Sequence, residues 1–118
     1  MYSARVEGGF SSAHNLREYK GKCEELHGHN WRVEVVAQSK SLDKAGMLID
    51  FKCMKVELHK VLDVLDHKYL NDIAFFKKIN PTSENIAKYI YDCLKKKIRR
   101  IKSVTVWEND TSAATYEE

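Results

Sequence analysis

The chain predicts an α+β fold in which a four-stranded antiparallel sheet carries two helices on one face. Two observations support this. Period-two segments open and close the chain, while two segments with apolar residues at three- and four-residue spacing lie together in its middle. Helices grouped in this way, rather than alternating with strands, disfavour a parallel βαβ arrangement. Each helical segment has a single apolar stripe, so both are expected on the same side of the sheet.

The elements follow in order. Tyr2, Ala4, Val6 and Phe10 alternate with Ser3, Arg5 and Glu7, a half-buried strand in which Gly8-Gly9 would permit a bend or bulge. A loop spans 15–25. Trp31, Val33, Val35 and Ala37 alternate with Arg32, Glu34 and Gln38, a second strand that pairs with the first as an antiparallel hairpin. After a turn at 43–46, Asp50 is the expected N-cap of a helix whose buried face is Phe51, Met54, Leu58, Val61, Leu62 and Leu65. A connecting loop spans 71–80. Pro81-Thr82-Ser83-Glu84 opens a second helix with Ile86, Ile90, Cys93 and Leu94 inward. Ile101 to Glu108 and Ala113 to Tyr116 are the remaining strands.

The 118 residues suit one domain, 1–118, and 43% hydrophobic with 31% charged residues is ordinary for a globular fold. A core this small makes self-association worth considering. A net charge of +3 does not point to a nucleic-acid partner, and Lys95, Lys96, Lys97, Arg99 and Arg100 read as a solvated helix end favoured by the macrodipole. No apolar run reaches membrane-spanning length and no signal-peptide pattern is present, so a cytoplasmic location is expected. Cys23, Cys53 and Cys93 then read as free thiols, the latter two as small core residues.

The most informative segment is Cys23-Glu24-Glu25-Leu26-His27-Gly28-His29. Histidines separated by one residue point to the same side of an extended backbone. A hairpin could return His14, at the end of the first strand, beside them. Three converging imidazoles with an open fourth position suit catalytic zinc, whereas Cys23 as a fourth ligand would close the site and make it structural. Hydrogen-bonding histidines without a metal are the plainer alternative. Asp66 can orient His67 as a proton-transfer group, although such a dipeptide is commonly structural. Glu108, at a strand end, is either solvated or able to accept two hydrogen bonds from an amidine-like ligand edge.

Taken in order, Phe10-Ser11-Ser12-Ala13-His14, Cys23-x-x-x-His27-Gly28-His29, Leu65-Asp66-His67, Pro81-Thr82-Ser83-Glu84-Asn85 and Glu108 closely resemble the 6-pyruvoyltetrahydropterin synthase family, over nearly the whole chain. Cysteine four residues before the first histidine is similar to the bacterial 6-carboxytetrahydropterin synthases of queuosine biosynthesis. The resemblance implies the tunnelling fold (T-fold), with subunits joining sheets into a β-barrel, commonly two stacked trimers, and active sites at subunit interfaces. It implies Zn2+ on His14, His27 and His29, proton handling by Cys23, Asp66 and His67, and pterin recognition by Glu108 with Thr82 and Glu84. The implied substrate is 7,8-dihydroneopterin triphosphate. The implied products are 6-carboxy-5,6,7,8-tetrahydropterin, acetaldehyde and triphosphate. Glu24 stands where a variant branch uses glutamate to cleave towards 6-hydroxymethyl-dihydropterin, so that product and the 6-pyruvoyl product are alternatives. A zinc-stabilised binding module without catalysis is a third.

Overall fold

The computed structural model describes residues 1–20 and 24–118. Four strands form one sheet in the order β1 (Tyr2–His14), β2 (His27–Ser39), β3 (Ile101–Asn109) and β4 (Ser112–Glu117), each antiparallel to its neighbour. Between β2 and β3 the chain forms α1 (Phe51–Leu65) and α2 (Ser83–Lys95). The alternation that predicts the strands also separates their faces. Ala4, Val6 and Phe10 of β1, Trp31, Val33, Val35 and Ala37 of β2, and Val104 and Val106 of β3 are buried in one cluster with both helices. The opposite face carries Arg5, Glu7, Arg32 and Glu34, which pair across strands as Arg5–Glu34 and Arg32–Glu7.

Asp50 caps α1 as expected, its carboxylate accepting from the Lys52 N–H at 2.8 Å. The Thr82 hydroxyl caps α2, accepting from the Asn85 N–H at 3.1 Å. The inward face of α1 is Met54, Leu58, Leu62 and Leu65, and that of α2 is Ile86, Ala87, Ile90, Tyr91 and Leu94.

Several expectations need correction. Phe51 and Tyr2 are exposed, as is Cys53, which lies beside Met54 and off the buried stripe; Cys93 is only half-buried. The 71–80 connection contains two short 3-10 turns, Leu70–Asp72 and Ala74–Phe76, the second burying Phe76. Gly8 and Gly9 make no bulge, because β1 pairs with β2 without a register break from Tyr2 to His14. The glycines serve close approach instead. A Cβ on Gly8 would lie 2.8 Å from Leu62 Cδ1, so its absence lets α1 settle onto the sheet. The irregularities fall at Val36/Ala37 and Trp107/Asn109.

One end of the sheet is incomplete. β2 pairs with β3 only over Arg32–Ala37, so His27 to Trp31 is held by β1 alone, in a two-stranded ribbon. β1 and β4 are the sheet's outer strands. No helix among the described residues is long and apolar enough to cross a membrane.

Candidate metal centre

The ribbon brings the three predicted histidines together. His14 and His27 are direct cross-strand partners, and His29 pairs with Ser12, which places it diagonal to His14. All three alternate in phase with the buried residues of their strands, so their rings lie on the helix-bearing face at the end of the core. His14 is 1% exposed and sits against Trp31, as does His29, with ring centroids 4.9 and 5.1 Å from the indole. Trp31 is held in turn by stacking on Phe10 and by donating its Nε1–H to the Ser12 carbonyl at 3.1 Å.

The ring nitrogens are oriented by backbone. His14 Nδ1 lies 2.8 Å from the Pro81 carbonyl and His27 Nδ1 lies 2.9 Å from the Glu25 carbonyl. A carbonyl only accepts, so each Nδ1 is the protonated nitrogen, and in the neutral ring each Nε2 presents a lone pair. Those two Nε2 atoms face each other at 3.1 Å. Two lone pairs at that separation repel unless a cation or proton lies between them. His29 Nε2 is buried and has no hydrogen-bond partner among the described residues, an expensive arrangement for a polar nitrogen. Burial, reinforced by His14 and His27, holds the His29 pKa below the ordinary imidazole value despite the opposing Glu108 charge, a shift that favours the neutral ring.

The carboxylate of Glu108 completes the group. β3 continues past its last β2-paired residue, Trp107, and brings Glu108 Oε1 to 3.4 Å from both His14 Nε2 and His29 Nε2. One ligand atom from each of His14, His27, His29 and Glu108 can be chosen with all four within 4.8 Å of one another. Three imidazoles and a carboxylate form a donor set suited to zinc, and the facing lone pairs and orphaned nitrogen fit a cation there. The carbonyls of Pro81 and Glu25 fix the tautomers as outer partners of metal-bound histidines do.

The other predicted residues are more dispersed. Cys23 lies outside the described residues. Its neighbour Glu24 approaches His27 from the Nδ1 side at 3.7 Å, away from the nitrogen that faces His14. Asp66 follows α1 and accepts from the Ser11 N–H at 2.9 Å, while its other oxygen lies 2.9 Å from His67 Nδ1. The Ser11 hydrogen bond, then His67, holds the Asp66 carboxyl below the usual carboxylate range. The His67 backbone is left-handed, with φ 54°, and its N–H donates to the Ser11 carbonyl at 2.6 Å. The His67 side chain is 82% exposed and stands outside the histidine–glutamate group. Glu84 is exposed on the first turn of α2, and the Thr82 hydroxyl is engaged in its cap.

Supporting residues escaped the sequence reading. Asn71 exchanges hydrogen bonds with the Asn15 backbone, and Asn80 does so with that of Arg17. The Arg17 guanidinium donates to the carbonyls of Asn71 and Phe76. These contacts bind the loop after His14 to the segment that delivers Pro81. Asparagines clustered in loops flanking the motifs were the available signal.

Residues 3–118 match the family model described as 6-pyruvoyl tetrahydropterin synthase. The 6-carboxy-5,6,7,8-tetrahydropterin synthase of Synechocystis sp. is 40% identical, the match covering 98% of this chain and 93% of that protein. The Haemophilus influenzae protein of the same name is 33% identical across 100% of both chains. The structure of Caenorhabditis elegans 6-pyruvoyl tetrahydropterin synthase matches with a TM-score of 0.87 at 29% identity, covering 99% of this chain and 95% of that one. Fold, motif order and relatives agree: the chain belongs to the 6-pyruvoyl tetrahydropterin synthase family.

Proposed function

We propose that this chain is a zinc-dependent lyase that converts 7,8-dihydroneopterin triphosphate into 6-carboxy-5,6,7,8-tetrahydropterin, acetaldehyde and triphosphate, as a cytoplasmic step of queuosine biosynthesis. The observation that supports it best is the pair of His14 and His27 Nε2 atoms facing each other at 3.1 Å, beside a buried His29 Nε2 that has no hydrogen-bond partner among the described residues. The names of the Synechocystis and Haemophilus relatives support the carboxy product.

In this reading His14, His27 and His29 hold the ion. Bound zinc would polarise the side-chain oxygens of the pterin and acidify the neighbouring C–H bond. Cys23 serves as the base, since nearby cations favour its thiolate. Asp66 orients His67, which returns or relays a proton. Glu108 accepts the amino and ring N–H donors of the pterin edge, with Thr82 and Glu84 assisting from a neighbouring subunit. Exposure of His67, outside the histidine group, supports a site completed by another copy of the chain. The outer strands β1 and β4 offer edges for barrel closure into a homohexamer.

The position of Glu24 beside His27 favours a second reading, side-chain cleavage to 6-hydroxymethyl-dihydropterin. Its approach to the outward nitrogen weighs towards Cys23 as the base. Incubation with dihydroneopterin triphosphate followed by mass analysis separates the carboxy, pyruvoyl and hydroxymethyl products, and absence of all three refutes the enzyme reading. Cys23→Ala should retain zinc and lose about 100-fold or more of turnover.

A further inference from the structure

We infer that Asn80 is a positioning residue for the metal centre: acting through the backbone carbonyl of Pro81, it holds His14 in the tautomer whose Nε2 lone pair faces the other ligands. The inference rests on the three-histidine zinc reading and adds to it a residue that lies outside the ligand group.

A single peptide unit carries the effect. In a trans peptide the N–H and C=O point to opposite sides of a rigid plane. In the unit joining Pro81 to Thr82, the Thr82 N–H donates back to the Asn80 carbonyl at 2.9 Å. The Pro81 carbonyl is thereby aimed the other way, where it accepts from His14 Nδ1 at 2.8 Å. This tight turn is pinned at its first residue. The Asn80 carboxamide accepts from the Arg17 N–H at 2.8 Å and donates to the Arg17 carbonyl at 3.0 Å, as a paired strand residue would. The Asn80 carbonyl also accepts from the Asn85 side-chain amide at 2.8 Å. Arg17 follows closely after His14 in the chain, so the contacts close into a ring that runs from His14 to Arg17, Asn80 and Pro81 and back to the imidazole.

Burial makes that ring matter to the metal. His14 is 1% exposed, so water does not replace the Pro81 carbonyl if it turns away. A buried Nδ1–H without a partner is costly, and a neutral imidazole relieves the cost by carrying its proton on Nε2 instead. That exchange removes the lone pair that would hold the cation. His27 offers an internal contrast. Its Nδ1 partner is the carbonyl of Glu25, two residues back along the same strand entry, and owes nothing to Asn80. Of the two facing nitrogens, the one on His14 therefore depends on a contact made across the fold, and the one on His27 on a local contact.

Asn80→Ala in the full-length protein tests this without turnover. In the metal-free protein, long-range proton–nitrogen NMR spectra of the histidine side chains in mildly alkaline buffer report the tautomers. Wild type should show His14 protonated at Nδ1. Asn80→Ala should move it towards the Nε2–H form while His27 stays unchanged. Zinc affinity in chelator competition should fall about ten- to a hundred-fold, the range for an outer partner of a metal-bound histidine. Asn80→Asp keeps the acceptor for the Arg17 N–H but sets an oxygen against the Arg17 carbonyl, and Asn85→Ala leaves Asn80 itself intact. Both should fall between wild type and Asn80→Ala, and both carry the test if Asn80→Ala does not fold. Gly8→Ala, which crowds Leu62 at the helix–sheet contact, should lose stability without a change in tautomer or zinc affinity. Wild-type tautomers and zinc affinity in the Asn80 and Asn85 variants would overturn the inference. An equal loss of affinity in Gly8→Ala would overturn it too, since the effect would then be one of general stability. Failure of wild type to bind Zn2+ would overturn the zinc reading itself, while the tautomer spectra would still decide the part played by Asn80.

Discussion

Replacing Trp31 with phenylalanine should loosen the metal centre from beneath. The indole is 2% exposed, stacks on Phe10 and meets the rings of His14 and His29 edge-on at 4.9 and 5.1 Å. Phenylalanine cannot donate to the Ser12 carbonyl, and losing that 3.1 Å bond costs about 1 kcal/mol. The smaller ring leaves space under two imidazoles, adding about 1–2 kcal/mol on the scale of partial large-to-small core changes. The expected loss is about 2–3 kcal/mol, or roughly 10 °C in Tm for a chain of this size. Urea and thermal unfolding in EDTA, at one fixed protein concentration, measure that loss without the metal. Zinc competition with a chromophoric chelator then measures affinity, which should drop about tenfold because the rings lose their backing. A loss under about 0.5 kcal/mol with unchanged zinc affinity would show that the indole merely fills space and that the histidines are positioned by their strands alone.

His27→Ala should lose zinc and turnover while keeping the circular dichroism of the fold, and full zinc by elemental analysis in His27→Ala/His29→Ala would exclude this centre. Gly8→Ala should destabilise by about 1–2 kcal/mol in urea, because the new Cβ would stand 2.8 Å from Leu62 Cδ1 and 3.2 Å from Leu58 Cδ2; a variant as stable as wild type would mean that α1 shifts freely. Asp66 has a depressed carboxyl pKa, so its stabilisation is complete above the unfolded value and is lost as pH falls through the folded one. Asp66→Asn should therefore flatten the decline of stability below about pH 4, and an unchanged acid limb would argue against the Ser11 contact.

Strand phase was legible because burial on one face imposes period two, and that phase already aligned His27 and His29 with Trp31 and Val33. His14 was placed by the hairpin alone. The position of Glu108 was not accessible in the same way, because it depends on the register of β3 against β2 across the 61 residues between those strands. Gly8 misled for a chemical reason: glycine is used both where a strand bulges and where a helix crosses closely, and only the location of Leu62 decides. Cys53 misled because a small apolar residue next to a buried methionine looks inward until the helix is wound. Thr82 was correctly placed at a helix start, where its hydroxyl serves the Asn85 amide.

The ribbon at the open end of the sheet has a consequence for how the protein matures. Over His27 to Trp31 the hydrogen-bond ladder joins β2 to β1 only, and β3 contributes the Glu108 carboxylate there instead of a strand partner. Coordination bonds would stitch this corner where the backbone does not. A newly made chain without zinc should therefore fray from the His14–His27 rung while its helices and central strands are already protected, and amide exchange would register the last turn of assembly as a metal-loading event. Zinc supply, before any pterin arrives, would then determine what fraction of the folded protein has a finished corner.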